Sequence, residues 1–134
     1  LESEGSITRN NYVGGVAGEI YGSSILNTVV EVDITGQRRV GGISGIGSEL
    51  NLENAQVSGN IQNRTDNPFR NIGGLFGSLS DSYISNSSSN ISITANIDAS
   101  DIYYIGGLIG YSEYGVQLDA VSSKGIIDIE IKVV

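Results

Sequence analysis

Residues 28–35 read TVVEVDIT, with Val30, Val32 and Ile34 on one parity and Glu31, Asp33 and Thr35 on the other. The same alternation runs through NISITANI at 90–97 and IIDIEIKVV at 126–134. Successive side chains of a strand point to opposite faces, so period-two alternation in β-branched residues predicts strands buried on one side. Apolar residues at helical spacing are nearly absent. The chain is expected to be all-β, and Ile127, Ile129, Ile131 and Val133 are expected to form one apolar face of its last strand.

The pattern repeats. YVGGVAG begins at Tyr12, RVGGISG at Arg39, NIGGLFG at Asn71 and YIGGLIG at Tyr104. Each copy has a glycine pair and a third glycine: Gly14, Gly15 and Gly18; Gly41, Gly42 and Gly45; Gly73, Gly74 and Gly77; Gly106, Gly107 and Gly110. The pairs lie 27, 32 and 33 residues apart, a period that signals a repeat architecture. Downstream positions agree in phase: Ile25, Leu52 and Ile84; then Asn27, Asn54 and Asn86; then Ile34, Ile61 and Ile93. The fourth copy keeps this phase if it carries one extra residue, which aligns Leu118 with Leu52, Gly125 with Gly59 and Ile127 with Ile61 and sets Ala120 at the asparagine position. The longer periods trace to insertions at NRTDNPF (63–69) and NIDASDIYY (96–104), the first holding turn residues and the only proline. The copies divide the chain into a partial repeat at 1–11 and repeats at 12–38, 39–70, 71–103 and 104–134. Together they are read as one repeat domain and a piece of a larger protein.

One copy supplies short strands with an apolar face it cannot bury alone, whereas stacked copies can bury it. The expected architecture is a β-solenoid, similar to a parallel β-helix, with layers about 4.8 Å apart. A folded-over β-roll or a β-prism is the alternative. Stacking would align Val13, Val40, Ile72 and Ile105 in one interior row and Val16, Ile43, Leu75 and Leu108 in a second. Glycine has two uses in such a stack: positive φ at a corner, and close approach of backbone layers. Asn27, Asn54 and Asn86 are expected as inward corner residues that pass hydrogen bonds along the stack.

Composition narrows the chemistry. Seven basic residues against fifteen acids leave a net charge of −8, which argues against a nucleic-acid groove and against anionic membrane surfaces. No apolar run is long enough to span a bilayer. Without histidine or cysteine the chain lacks the usual general base, disulfides and the commonest zinc ligands. The glycine pairs are not phosphate loops, since no Lys-Ser/Thr and no helix follows them. No cofactor is expected. Asp98 and Asp101, in the second insertion, are the least implausible metal ligands, although no segment has the spacing of a calcium loop. Tyr103, Tyr104, Tyr111 and Tyr114 crowd one region and are the expected contact surface. Arg38, Arg39, Arg64 and Arg70 form a small basic strip, read as solvated or ion-paired.

An aromatic or basic residue, an apolar residue, GGLxG and then IxN seven residues on resembles the GLUG-motif repeat. RVGGISGIGSELNLENAQVSGNIQ at 39–62 is the fullest match, and four copies in phase carry the resemblance from Tyr12 to the C-terminus. Such repeats occur in bacterial secreted and surface proteins, including adhesin-like proteins and the N-terminal regions of immunoglobulin A-specific metallopeptidases. The resemblance implies an extracellular, non-catalytic module: a stalk, spacer or binding scaffold facing neighbouring repeats and a host protein or glycan. Two other functions stand beside it. One is the accessory region of a secreted immunoglobulin-cleaving metallopeptidase, whose zinc centre would lie elsewhere because HExxH needs two histidines. The other is a β-helix enzyme acting on acidic polysaccharide, which needs basic groups that this chain has few of.

Overall fold

A computed structural model describes residues 2–8, 11–63, 70–98 and 103–132. Residues 64–69 of the first insertion and 99–102 of the second, with Arg64 and Asp101 among them, lie outside these residues, as does Val133. Every regular element among the described residues is a strand. The chain opens with β1 (Glu2–Thr8). The first full copy then supplies β2 (Asn11–Gly14), β3 (Ala17–Tyr21) and β4 (Ser24–Gly36). The second supplies β5 (Arg38–Gly41), β6 (Ser44–Ser48) and β7 (Asn51–Asn63). The third supplies β8 (Arg70–Gly73), β9 (Phe76–Ser80) and β10 (Tyr83–Asp98). The last supplies β11 (Ile105–Gly106), β12 (Ile109–Ser112), β13 (Gln117–Ser123) and β14 (Ile127–Lys132).

Each full copy contributes one strand to each of three parallel sheets, except that the last copy places both β13 and β14 in the third. The first sheet runs β11-β8-β5-β2, the second β12-β9-β6-β3 and the third β1-β4-β7-β10-β13, with β14 also on β10. The register follows the glycine period. Val13 pairs with Val40, Val40 with Ile72 and Ile72 with Ile105. The row after each glycine pair is tied by backbone bonds from Val16 N–H to the Ile43 carbonyl (3.0 Å), from Ile43 N–H to Leu75 (2.9 Å) and from Leu75 N–H to Leu108 (2.8 Å). In the third sheet Ile34 pairs with Ile61 and Ile61 with Ile93. Leu118 pairs with Ile84 and Ile127 with Ile93, so the extra residue of the last copy falls between β12 and β13. Equivalent residues therefore sit over one another at the strand spacing of about 4.8 Å.

The glycine pairs sit at the bend between the first two sheets, but none has positive φ. Their use is close approach alone. A Cβ on Gly42 would overlap the Gly74 carbonyl and a Val57 methyl, so the bend has no room for one. Positive φ is carried elsewhere, mostly by residues other than glycine. One site is the residue two before each glycine pair: Tyr12 (52°), Arg39 (50°) and Asn71 (56°). A second is the turn into the long strand, at Gly22 (56°), Glu49 (53°), Asp81 (43°) and Gly115 (72°). A third lies inside that strand at Asn27 (51°), Asn54 (54°), Asn86 (47°) and Ala120 (53°).

The third site corrects the expected direction of the asparagines. A left-handed residue interrupts the two-residue alternation, so Leu52 and Ala55 both face the core while Asn54 between them is exposed. Asn27 and Asn86 are exposed as well. Asn54 donates to the Asn27 amide oxygen at 3.1 Å along the outer surface. Inside the kink, the Ser87 hydroxyl accepts from Ala55 N–H at 3.1 Å and donates to the Ser85 carbonyl at 2.8 Å, satisfying backbone that the broken ladder leaves unpaired.

The core is a column between the sheets, holding Val30, Val32, Ile34, Val40, Ile43, Leu52, Ile61, Ile72, Leu75, Phe76 and Ile93. Burial fades toward the last copy. Ile105 and Leu108 are half-buried, and Ile127, Ile129 and Ile131 are 41 %, 40 % and 55 % exposed. The apolar face expected on the last strand is there in sequence, but it lies on an outer strand paired on one side only.

Candidate functional site

Beside the strands of the first sheet runs a groove of about 470 Å³ lined by Asn11, Tyr12, Arg38, Arg39, Arg70, Asn71 and Tyr104. Two rows build it. Tyr12, Arg39, Asn71 and Tyr104 occupy one repeat position, the residue two before each glycine pair. Asn11, Arg38 and Arg70 occupy the position before that and pair in register. Tyr12, Arg38, Arg70 and Tyr104 are exposed, while Arg39 and Asn71 are half-buried.

The backbone explains how the groove forms. The left-handed turn at Arg39 aims its carbonyl at β6, where a Cβ on Gly45 would overlap it. The third glycine of the motif thus makes room for the kink that tilts Arg39 outward. The Arg39 guanidinium lies over the Tyr12 ring, 5.3 Å from its centroid, and donates to the Tyr12 hydroxyl at 3.3 Å. Asn71 donates from Nδ2 to the Ser78 hydroxyl at 3.0 Å. Tyr104 meets Tyr111 edge-on, with ring centroids 5.1 Å apart. On the far side of Arg39 and Asn71 a second concavity of about 290 Å³ includes Tyr21, Ser78, Tyr111 and Glu113. Tyr21 donates to Glu19 at 3.1 Å. Its phenol is pushed above 10.0 first by partial loss of water and then by Glu19, while Arg39 pulls it back down.

Among the described residues no acidic side chain lines the arginine–tyrosine groove beside the first sheet. A second surface, about 510 Å³ along the turns at Glu49 and Asp81, has the opposite character: serines, carboxylates and no basic residue. Among the described residues these two surfaces thus differ in charge, one carrying arginines and tyrosines and the other carboxylates.

The expected tyrosine cluster is divided. Tyr103 packs against the core, and its hydroxyl accepts from Asp98 N–H at 3.2 Å. Tyr104 and Tyr111 pair. Tyr114 is 72 % exposed in the loop before β13, where its carbonyl accepts from Asp81 N–H at 2.9 Å. Asp98 ends β10 and is exposed, and its suggested metal partner Asp101 lies outside the described residues. Among the described residues no three His, Cys, Asp or Glu side chains gather as a metal site would require. No helix among them is long and apolar enough to cross a membrane. The basic strip read as solvated contributes Arg38, Arg39 and Arg70 to the groove. Sequence reasoning passed over Tyr12, Asn11 and Asn71. The available signal was the variable, large polar residue two before each glycine pair. Comparison with protein-family models, curated proteins and solved structures returns no match.

Proposed function

We propose that the chain is a β-solenoid segment of the GLUG type, acting as a non-catalytic stalk and binding scaffold of a bacterial extracellular protein. The observation that carries it is the register: the first three full copies pair residue for residue at the offsets of their glycine pairs in all three sheets. A stack of this kind extends by adding copies, and each added copy lengthens it by about 4.8 Å. A stiff rod presents side chains from fixed backbone, which suits display more than turnover.

The groove bears on the enzyme alternative. It supplies the basic groups that an acidic polysaccharide needs, but among the described residues its lining has neither carboxylate nor histidine for general acid or base work. Binding without chemistry is the use these residues fit. The test is small-angle scattering on arrays carrying increasing numbers of the 39–70 copy. The maximum dimension should grow linearly with copy number, and growth in all three dimensions would refute a solenoid.

A further inference from the structure

The geometry points to the arginine–tyrosine groove as a binding site for an anionic glycan, one whose sugars carry carboxylate or sulfate groups. The proposal rests on the binding-scaffold reading above and names its ligand.

Charge comes first. Three of the chain's seven basic residues meet in one groove that has no acid in its lining among the described residues, on a molecule of net charge −8. Arg38 and Arg70 are register partners on adjacent strands, which sets the two residues side by side along the groove. Guanidinium forks hold carboxylate and sulfate oxygens in pairs, which a lysine row would not do.

Backbone conformation is the second, independent observation. Tyr12 and Arg39 hold left-handed φ, a conformation that disfavours side chains of their kind by about 1 kcal/mol or more. The third copy shows the undemanding solution, because Asn71 fills the same position. Two copies instead keep a large ring and a guanidinium there, stacked on each other and turned into the groove. Strain that persists at one surface position points to a use for that side chain.

Shape selects the ligand class. Tyr12 and Tyr104 stand at the two ends, three strand steps apart, or about 14 Å, the length of about three sugar rings. A tyrosine ring offers an apolar face to the C–H side of a sugar and a hydroxyl to its oxygens. The amide of Asn11 adds hydrogen-bonding groups beside the arginines. Across the middle of the groove β5 and β8 are already paired on both sides, so no strand edge is open to an extended peptide. A glycan lying across the strands needs no such edge.

Calorimetric titration of the intact chain tests this with four probes: oligogalacturonate for carboxylate, a heparin-derived oligosaccharide for sulfate, a neutral malto-oligosaccharide and poly-glutamate. At least one acidic oligosaccharide should bind, with an affinity that falls steeply as salt rises. The neutral sugar should not bind, and poly-glutamate should bind at least about tenfold more weakly. Arg38→Ser combined with Arg70→Ser, and Tyr104→Ala alone, should each weaken binding, the pair by about tenfold or more. Lys124→Ser, which removes a charge outside the groove, should leave it unchanged. Arg39→Asn should weaken binding without lowering the melting temperature, a split that a merely structural arginine would not show. Silence with both acidic glycans, equal binding of poly-glutamate or of the neutral sugar, or an equal loss in Lys124→Ser would overturn the site. An array that lengthens with copy number yet binds no acidic glycan would remove this proposal and leave the solenoid standing.

Discussion

Ala120 occupies the position that holds asparagine in the other three copies, and it adopts the same left-handed backbone, φ 53°. Asparagine tolerates that region, whereas alanine's Cβ crowds the following carbonyl. Ala120→Gly should therefore stabilise the chain by about 1 kcal/mol, seen as a melting temperature higher by a few degrees. An unchanged or lower midpoint would show that the last copy does not hold this kink in solution. Ser87 is the opposite case, a buried hydroxyl that the backbone depends on. Ser87→Ala leaves the Ala55 N–H without its partner and should cost about 1–3 kcal/mol in chemical denaturation. Faster hydrogen exchange at the Ala55 amide would tie that loss to the kink, and unaltered exchange there would count against it. The repeat made both positions visible in sequence. It did not show the sense of their side chains, because parity counted from Leu52 places Asn54 inside and the left-handed kink puts it outside.

At the level of the element, the bend between the first two sheets depends on glycine for space and not for φ. Gly45 is the most informative, since a Cβ there would overlap the Arg39 carbonyl and lie 2.7 Å from the Val13 nitrogen. These are backbone atoms of two neighbouring copies, so neither can swing aside as a side chain would. Gly45→Ala should destabilise by about 1–3 kcal/mol or more and, by pushing β5 from β6, should weaken the stacking of Arg39 on Tyr12. Equilibrium unfolding measures the first effect and tyrosine fluorescence the second. A wild-type midpoint would mean that the bend is looser than the structure has it. The strands themselves were legible from alternation and β-branched residues. The groove was not, because its two rows come from strands far apart in sequence, and only the pairing of β2, β5 and β8 brings Asn11, Arg38 and Arg70 together.

The whole molecule is a stack whose burial depends on neighbours on both sides. Ile61, fully buried in central β7, and Ile129, 40 % exposed on outer β14, occupy strands with the same alternation. An aspartate at the first would be an unpaired charge inside the column, and at the second it would remain near water. Ile61→Asp should abolish cooperative melting, whereas Ile129→Asp should shift the midpoint only slightly. Circular dichroism separates these outcomes, and similar effects from both would mean that the last strand is as enclosed as the middle one.

The amino-acid sequence by itself determined the strands, the four copies, their phase and the place of the extra residue in the last copy. These follow from local alternation and from a period that any parallel stack must keep. It also determined that neither histidine nor cysteine chemistry is available. The tertiary structure alone decided which side chains face outward after each left-handed residue, how far burial extends along the stack, and that three scattered arginines share a groove with Tyr12 and Tyr104. The physical reason is common to all three. A single left-handed residue resets the facing of everything after it, and contacts between copies join residues about thirty positions apart, which no local pattern records.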